Sequence, residues 1–180
     1  MKRNYIKNFF GHLYTITHHR HLVIRHAFRC GIGFQALGHD LSKYGPTEFF
    51  PGVKYYTGSK SPTLYERIEE GMSKAWMHHK GRNKHHYEYW TDYDLTDEAY
   101  KPVLMPIKYL KEMFCDRVAA SKTYMKKEYT DAHPYNYFVS KRTVERMNEE
   151  TAKVLESWLL MLKGKGEKET FKYIKKMKNY

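Results

Sequence analysis

Cysteine is scarce in this sequence, and long apolar runs are missing. The two cysteines, Cys30 and Cys115, are far apart and form no CxxC pair, which argues against a disulfide framework or a cysteine-ligated zinc site. No apolar run approaches the roughly 18 residues that a membrane-spanning helix needs. The opening MKRNYIKNFFGHLY contains no long apolar stretch and no small-residue cleavage site. We therefore expect a cytoplasmic protein with no signal peptide and no membrane partner.

Period-two alternation is also missing, which predicts an all-α fold. Helix-opening prolines, helix-ending glycines and apolar residues at near-helical spacing mark the elements. The expected helices cover residues 5–37, bent at Gly31 and Gly33, a short stretch from Pro46, a stretch from Ser61-Pro62 to about His79, a stretch from Pro106, and residues 139–162, closed at Gly164. The sequence thus predicts a helical domain over residues 1–164, followed by a basic C-terminal helix or tail over residues 165–180.

The sequence is rich in positive charge and in clustered histidine. It has 32 Lys and Arg against 20 Asp and Glu, a formal net charge of +12. Such a surface is either simply solvated or attracts a polyanion or a phosphorylated substrate, and charge alone does not separate the two. The 11 histidines are more specific. Six precede residue 40, and four lie in the stretch MHHKGRNKHH.

The adjacent pair His39-Asp40 is the first candidate for a metal site. An imidazole and a carboxylate directed to one point suit a hard or borderline divalent ion. Asp116 is a second candidate, because it stands in the apolar helical context KEMFCDRVAA, where a carboxylate needs a cation or a donor. A salt bridge from an arginine is the alternative explanation for Asp116.

The ordered pattern His…His-Asp…His…His…Asp resembles the HD-domain superfamily of helical metalloproteins. HDLSK looks like the corresponding element of its HD-GYP branch. More closely, THHRHLV, HDLSKYGPTEF, AWMHHKGRNKHHYEYW and MPIKYLKEMFCDRVAASKTY together resemble the DUF5662 family, whose members sometimes carry a catalase label. No haem-ligand context supports that label. The resemblance covers about residues 15–160 and implies an HD-domain-like helical bundle.

The resemblance also implies a ligand set for one or two divalent ions, which could be Mn, Fe, Ni, Co, Mg or Zn. Carried over by position, the ligands are His19, His39, Asp40, His79, His85 and Asp116. His78 and His86 remain alternatives to their neighbours, because helical spacing allows only one of His78 and His79 to face the site, and the same holds less firmly for the second pair.

The leading function expected from this set is metal-dependent phosphohydrolysis of a nucleotide or another small phosphoester. Asp40 would then ligate the metal, while Lys43 and Arg82 would neutralise charge on the phosphoryl group. An HD-type diiron oxygenase, resembling inositol oxygenase, is the alternative. A non-catalytic nucleic-acid-binding protein is a second alternative, based on the basic surface.

Overall fold

The computed structural model describes residues 4–180, and these are mostly helical. The α-helices are α1 (Tyr5–Cys30), α2 (Gly33–Ala36), α3 (Pro46–Lys54), α4 (Pro62–Glu70), α5 (Lys74–Lys80), α6 (Ile107–Met125), α7 (His133–Ser140) and α8 (Glu149–Lys176). Single turns of 3-10 helix cover Leu41–Tyr44, Tyr87–Tyr89, Lys126–Glu128 and Thr143–Arg146. Within this part of the chain, no helix is both long enough and apolar enough to cross a bilayer.

Helix α1 forms one wall of the core. The Asn4 side chain accepts a hydrogen bond from the Lys7 amide at 3.0 Å and caps its first turn. A buried stripe at helical spacing runs through Ile16, His19, Val23, His26, Ala27 and Cys30. The helix ends at Gly31, whose φ of 78° is in the left-handed region that glycine adopts freely. The predicted helix over residues 5–37 is therefore two helices, separated at this glycine.

Helix α6 packs against α1. It begins directly after Pro106, as the sequence predicted, and buries Leu110, Phe114 and Val118. Cys30 of α1 meets Cys115 of α6, with the two sulfur atoms 3.7 Å apart and both thiols free and buried. The cysteines are thus small core residues, as expected. This pairing of α1 with α6 sets the position of every ligand on either helix.

The all-α prediction needs one correction, a two-stranded antiparallel sheet. Strand β1 (Thr91–Asp94) pairs with β2 (Ala99–Pro102), and Tyr93 faces Tyr100 across the register. The helix expected from Ser61-Pro62 to His79 also needs correction. It divides at Gly71, which has a φ of 76°, and restarts at Ser73, whose hydroxyl caps the Trp76 amide at 3.0 Å.

The C-terminal helices differ from the predicted pair. Val139 belongs to α7, and α8 starts at Glu149 and continues through Gly164 to a kink at Gly166, where φ is 75° and ψ is 174°. Beyond the kink, Phe171 and Ile174 are buried in the main core. Phe171 and Ile174 therefore share one core with residues of α1 and α6.

Candidate metal centre

Four separate segments bring seven histidine and aspartate side chains to one buried region. Helix α1 supplies His19, the turn after α2 supplies His39 and Asp40, the end of α5 and the loop after it supply His79, His85 and His86, and α6 supplies Asp116. Six of these were predicted as ligands, and the seventh, His86, was an alternative. Residues about 100 positions apart in sequence thus meet because α6 packs against α1.

Asp40 lies at the centre of this region. Its φ of 54° places it in the left-handed conformation, which Asp tolerates better than most residues, and its side chain is 2% exposed. The Oδ1 atom is 3.3 Å from His79 Nε2 and 3.4 Å from His85 Nε2. The Oδ2 atom is 3.4 Å from His39 Nε2 and 3.8 Å from His19 Nε2. The two oxygens of one carboxylate therefore face two different pairs of histidines.

Three groups of candidate ligand atoms are found among the described residues: two contain an aspartate, and the third joins His39 and His85 to Glu112. The Asp40 group consists of Asp40, His79, His85 and His86, and the Asp116 group consists of His19, His39 and Asp116. Within each group, the candidate ligand atoms lie within 4.8 Å of one another. In the Asp116 group, Oδ1 of the carboxylate is 3.0 Å from His19 Nε2 and 3.9 Å from His39 Nε2. Such spacing suits coordination of a common cation.

Several polar atoms that face this centre are buried without a hydrogen-bond partner among the described residues. They are Nε2 of His39 and His85 and Oδ1 of Asp40, whereas Oδ2 of Asp40 contacts the Lys43 ammonium and Nε2 of His19 contacts Asp116. Burial lowers the pKa of His39 against the opposing charge of Asp40, so its imidazole is neutral near pH 7. Its Nε2 lone pair then faces carboxylate oxygens, an arrangement of acceptors that is unfavourable unless a cation lies between them. The residues present fit a divalent ion.

The charges around His85 also indicate that this centre needs a cation. Burial alone would lower the pKa of this histidine, but the hydrogen bond to Glu112 and the charges of Asp40 and Asp116 raise it. Burial would likewise raise the pKa of Asp116, yet contact with His19 holds it well below its usual range. The carboxylates therefore stay ionised and attract positive charge to this point.

Glu112, which the sequence reasoning missed, orients two of the histidines. Its Oε1 is 2.9 Å from His39 Nδ1 and 3.3 Å from His85 Nδ1, while Oε2 accepts a hydrogen bond from Gln35 at 2.5 Å. These hydrogen bonds outweigh burial and lower the pKa of Glu112 to about 2. A carboxylate that accepts from Nδ1–H fixes the tautomer whose Nε2 is free to bind a metal.

Glu48 orients the histidines of α5 in the same way, through hydrogen bonds at Nδ1. Its Oε2 is 2.7 Å from His79 Nδ1, and its Oε1 is 2.7 Å from His78 Nδ1. His79 is buried and directs Nε2 at Asp40, whereas His78 is partly exposed and belongs to neither ligand group. The helical argument that only one of this pair faces the centre agrees with the structure, which brings His79 to it.

The helical-spacing argument does not apply to the second pair, His85 and His86, because the chain is not helical there. His85 and His86 both belong to the Asp40 group, and His86 Nε2 is 2.9 Å from His79 Nε2. Burial, together with the charges of His85 and His79, holds the pKa of His86 well below its usual range. It is therefore neutral, the form in which imidazole binds metals.

The structure separates the two cations that were expected to contact substrate. Lys43 Nζ is 2.6 Å from Asp40 Oδ2, and the charges of Asp40 and Asp116 raise its pKa against the lowering effect of partial desolvation. Arg82 is exposed, and its guanidinium donates to the His78 carbonyl oxygen at 3.4 Å. Lys43 thus lies at the centre, while Arg82 lies on the surface beside α5.

Comparison with known proteins places the chain in a family. No curated protein matches it, and no solved structure does. The family of unknown function DUF5662 matches residues 8–161, a span that includes every residue of both ligand groups. The match is to this family and not to the HD-domain superfamily. With most of its length matched, the chain belongs to the DUF5662 family.

Proposed function

We propose that this protein is a metal-dependent phosphohydrolase of HD type, acting on a nucleotide or another small phosphoester. The observation that carries the proposal is the position of Asp40, whose two buried carboxylate oxygens each face a different group of histidine nitrogens. Two ions sharing one carboxylate form a common arrangement for hydrolysis of phosphoesters. The order of ligands along the chain supports the HD-type assignment.

The donor set indicates which ions fit. The Asp116 group with Asp40 Oδ2 would hold one ion, and the Asp40 group would hold a second. Five of the seven side chains in the two groups are histidines, so Mn, Fe, Co, Ni or Zn fits better than Mg. Such an ion, when bound, lowers the pKa of water near it and polarises a phosphoryl oxygen.

The side chains around the centre supply the rest of the reaction. In hydrolysis, the oxygen of water joins phosphorus, the ester P–O bond breaks, and the leaving oxygen takes up a proton. Lys43 keeps its proton and has a partly exposed side chain beside Asp40, so its ammonium can neutralise charge that develops on the phosphoryl oxygens. The surface position of Arg82 favours Lys43 over Arg82 for this role.

A diiron oxygenase is a second candidate, favoured by the same abundance of imidazole nitrogen, which also suits iron. The two candidates differ in their co-reactant, since one consumes water and the other dioxygen. A nucleic-acid-binding role rests only on the net charge of +12.

The proposed function is tested by metal analysis and turnover together. Protein purified without chelator or nickel resin should contain Mn, Fe, Co, Ni or Zn, and should release phosphate from nucleotides or generic phosphoesters when Mn, Co or Ni is added. His39→Ala and Asp40→Ala should each lose bound metal and turnover while staying helical by circular dichroism. His21→Ala, which changes an exposed histidine on α1, is the matched control and should keep both.

Two results would contradict the proposal. Unchanged metal content in both His39→Ala and Asp40→Ala would show that the site assignment is wrong. No turnover of any phosphoester with several metals, combined with dioxygen consumption by the iron-loaded protein, would favour the oxygenase.

A further inference from the structure

A cavity of about 440 Å³ lies between α1, the segment after α3 and the end of α6. This volume is within the range of small-molecule sites. Its lining residues are Tyr14, Thr15, His18, Tyr56, Gly58, Lys122, Thr123, Tyr124 and Lys126. The lining includes hydroxyl groups, aromatic rings and two lysines, but no carboxylate. The cavity is thus suited to an anion with an aromatic part.

Both helices that hold the Asp116 group lead to this cavity. On α1, Thr15 precedes His19 by one turn, which places their side chains on one face about 6 Å apart. On α6, Thr123 follows Asp116 by two turns, about 10 Å along the helix. Because His19 contacts Asp116, the cavity begins one to two turns from the candidate metal centre.

Tyr124 connects the two regions electrostatically. Burial raises the pKa of its hydroxyl, and the charges of Lys43 and Asp116 act on it in opposite directions. Its side chain lines the cavity from α6, eight residues and about 12 Å along the helix from Asp116.

The aromatic part of the lining has a flat, accessible face. Tyr14 and His18 stack with an interplanar angle of 10° and centroids 5.8 Å apart, and Tyr14 is 70% exposed. Tyr56 lies beside them, with its hydroxyl 2.9 Å from that of Thr15. Planar rings bind by stacking on such faces, and neighbouring hydroxyls can bond to the edge of a polar base.

The two lysines of the lining, Lys122 and Lys126, differ in their ion pairs with the rest of the protein. Lys122 forms an ion pair with Glu167. Among residues 4–180, no ion pair is found for Lys126, which is exposed where α6 ends and has a φ of 52°, a left-handed conformation that a lysine rarely adopts. The strained turn thus places an ammonium without a protein partner at the edge of the cavity.

We infer that this cavity binds the nucleoside part of a nucleotide that carries more than one phosphate. The base stacks on Tyr14 and His18, one phosphate reaches the candidate metal centre, and a further phosphate meets Lys126. The inference rests on the proposed phosphohydrolase function and specifies its substrate class. A sugar phosphate lacks the planar aromatic ring that would stack on this lining.

Binding of ADP, supplied as its hydrolysis-resistant α,β-methylene analogue, to the protein as purified tests the inference and is measured by equilibrium dialysis. Tyr14→Ala should weaken ADP binding about fivefold or more, the effect expected for one lost stacking face. Lys126→Ala should also weaken it, because it removes the charge-assisted contact with a phosphate. Lys168→Ala, at an exposed lysine of α8, is the matched control and should leave it unchanged. Glucose 6-phosphate should bind more weakly than ADP, and the bound metal should be the same in all four proteins.

The possible outcomes distinguish a failure of the cavity assignment from a failure of the proposed function. Equal ADP affinity in wild type, Tyr14→Ala and Lys126→Ala would overturn the inference, as would glucose 6-phosphate binding as tightly as ADP. If ADP binds as expected but no metal supports phosphate release, the cavity assignment stands and the proposed function fails. If phosphate is released and both cavity variants keep the wild-type kcat/KM, the function stands and the cavity assignment fails.

Discussion

At the scale of the residue, Asp40 shows what could be predicted from the sequence and what could not. The pair His39-Asp40 could be picked out as ligands from the residue types alone. That one carboxylate stands between two groups of nitrogens depends on the left-handed backbone at Asp40, which no spacing rule predicts. Helical geometry indicated that only one of His78 and His79 faces the centre. It gave no guide to the joint position of His85 and His86, because that segment is irregular.

Glu112 is the residue that sequence reasoning should have found. It stands four positions before Asp116, so the two carboxylates share one face of a helix. Two carboxylates on the buried face of an apolar helix indicate a cation or several donors. Only the structure, however, shows that the donors are His39 Nδ1 and His85 Nδ1.

Glu112→Gln should weaken metal binding about 10- to 100-fold, the usual effect of losing a carboxylate partner behind ligating histidines. The amide keeps the shape of the side chain but not its charge. His39 and His85 therefore become less basic and less firmly oriented, while the fold remains. Metal retained after dialysis against a series of metal buffers measures the effect. Glu169→Gln, an exposed glutamate of α8, should behave as wild type. Equal metal affinity in Glu112→Gln and Glu169→Gln would rule out a positioning role.

At the scale of the element, helix-opening prolines were predicted correctly, whereas Gly164 does not end a helix and the exposed strands were missed. Pro46 and Pro106 begin or directly precede helices as predicted, since proline suits the first helical turn. The hairpin was missed because β1 and β2 are exposed over nearly all of their residues. A strand without a buried face shows no alternation of apolar and polar residues.

Two glycines of α8 provide a matched prediction. Gly166→Ala should destabilise the protein by about 1–3 kcal/mol, because φ of 75° with ψ of 174° is a conformation reserved for glycine. Gly164→Ala should stabilise it by up to about 1 kcal/mol, because that site is open and helical. Urea unfolding of both variants measures the two changes. Shifts of the same sign in both would show that the kink is not needed.

The whole molecule is held together by the packing of α1, α6 and α8. His26 of α1 is 1% exposed and stacks on Phe171 of α8, with centroids 5.0 Å apart. Neither ring nitrogen of His26 has a hydrogen-bond partner among the described residues. The sequence predicted a basic C-terminal helix or tail over residues 165–180, and within this segment Phe171 and Ile174 are buried in the main core.

This buried histidine makes stability depend on pH. Burial, with a smaller effect of Lys122, lowers the pKa of His26 from 6.5 to about 3. The folded protein therefore keeps His26 neutral under conditions in which the unfolded chain binds a proton. Its contribution is fully present above pH 6.5 and is lost progressively as pH falls toward 3. Between pH 6.5 and pH 5, the loss amounts to about 2 kcal/mol.

Replacing His26 should remove this part of the pH dependence. In His26→Leu, the free energy of unfolding should fall by about 2 kcal/mol less between pH 6.5 and pH 5 than in wild type, as measured by urea unfolding at both values. Taking the difference between the two proteins cancels the histidines of the metal centre, which both share. His21→Leu, at an exposed position of the same helix, should keep the wild-type slope. If His26→Leu loses as much stability on acidification as wild type, then His26 takes up its proton in the folded state. In that case α1 and α8 would have to separate enough to hydrate its ring without unfolding.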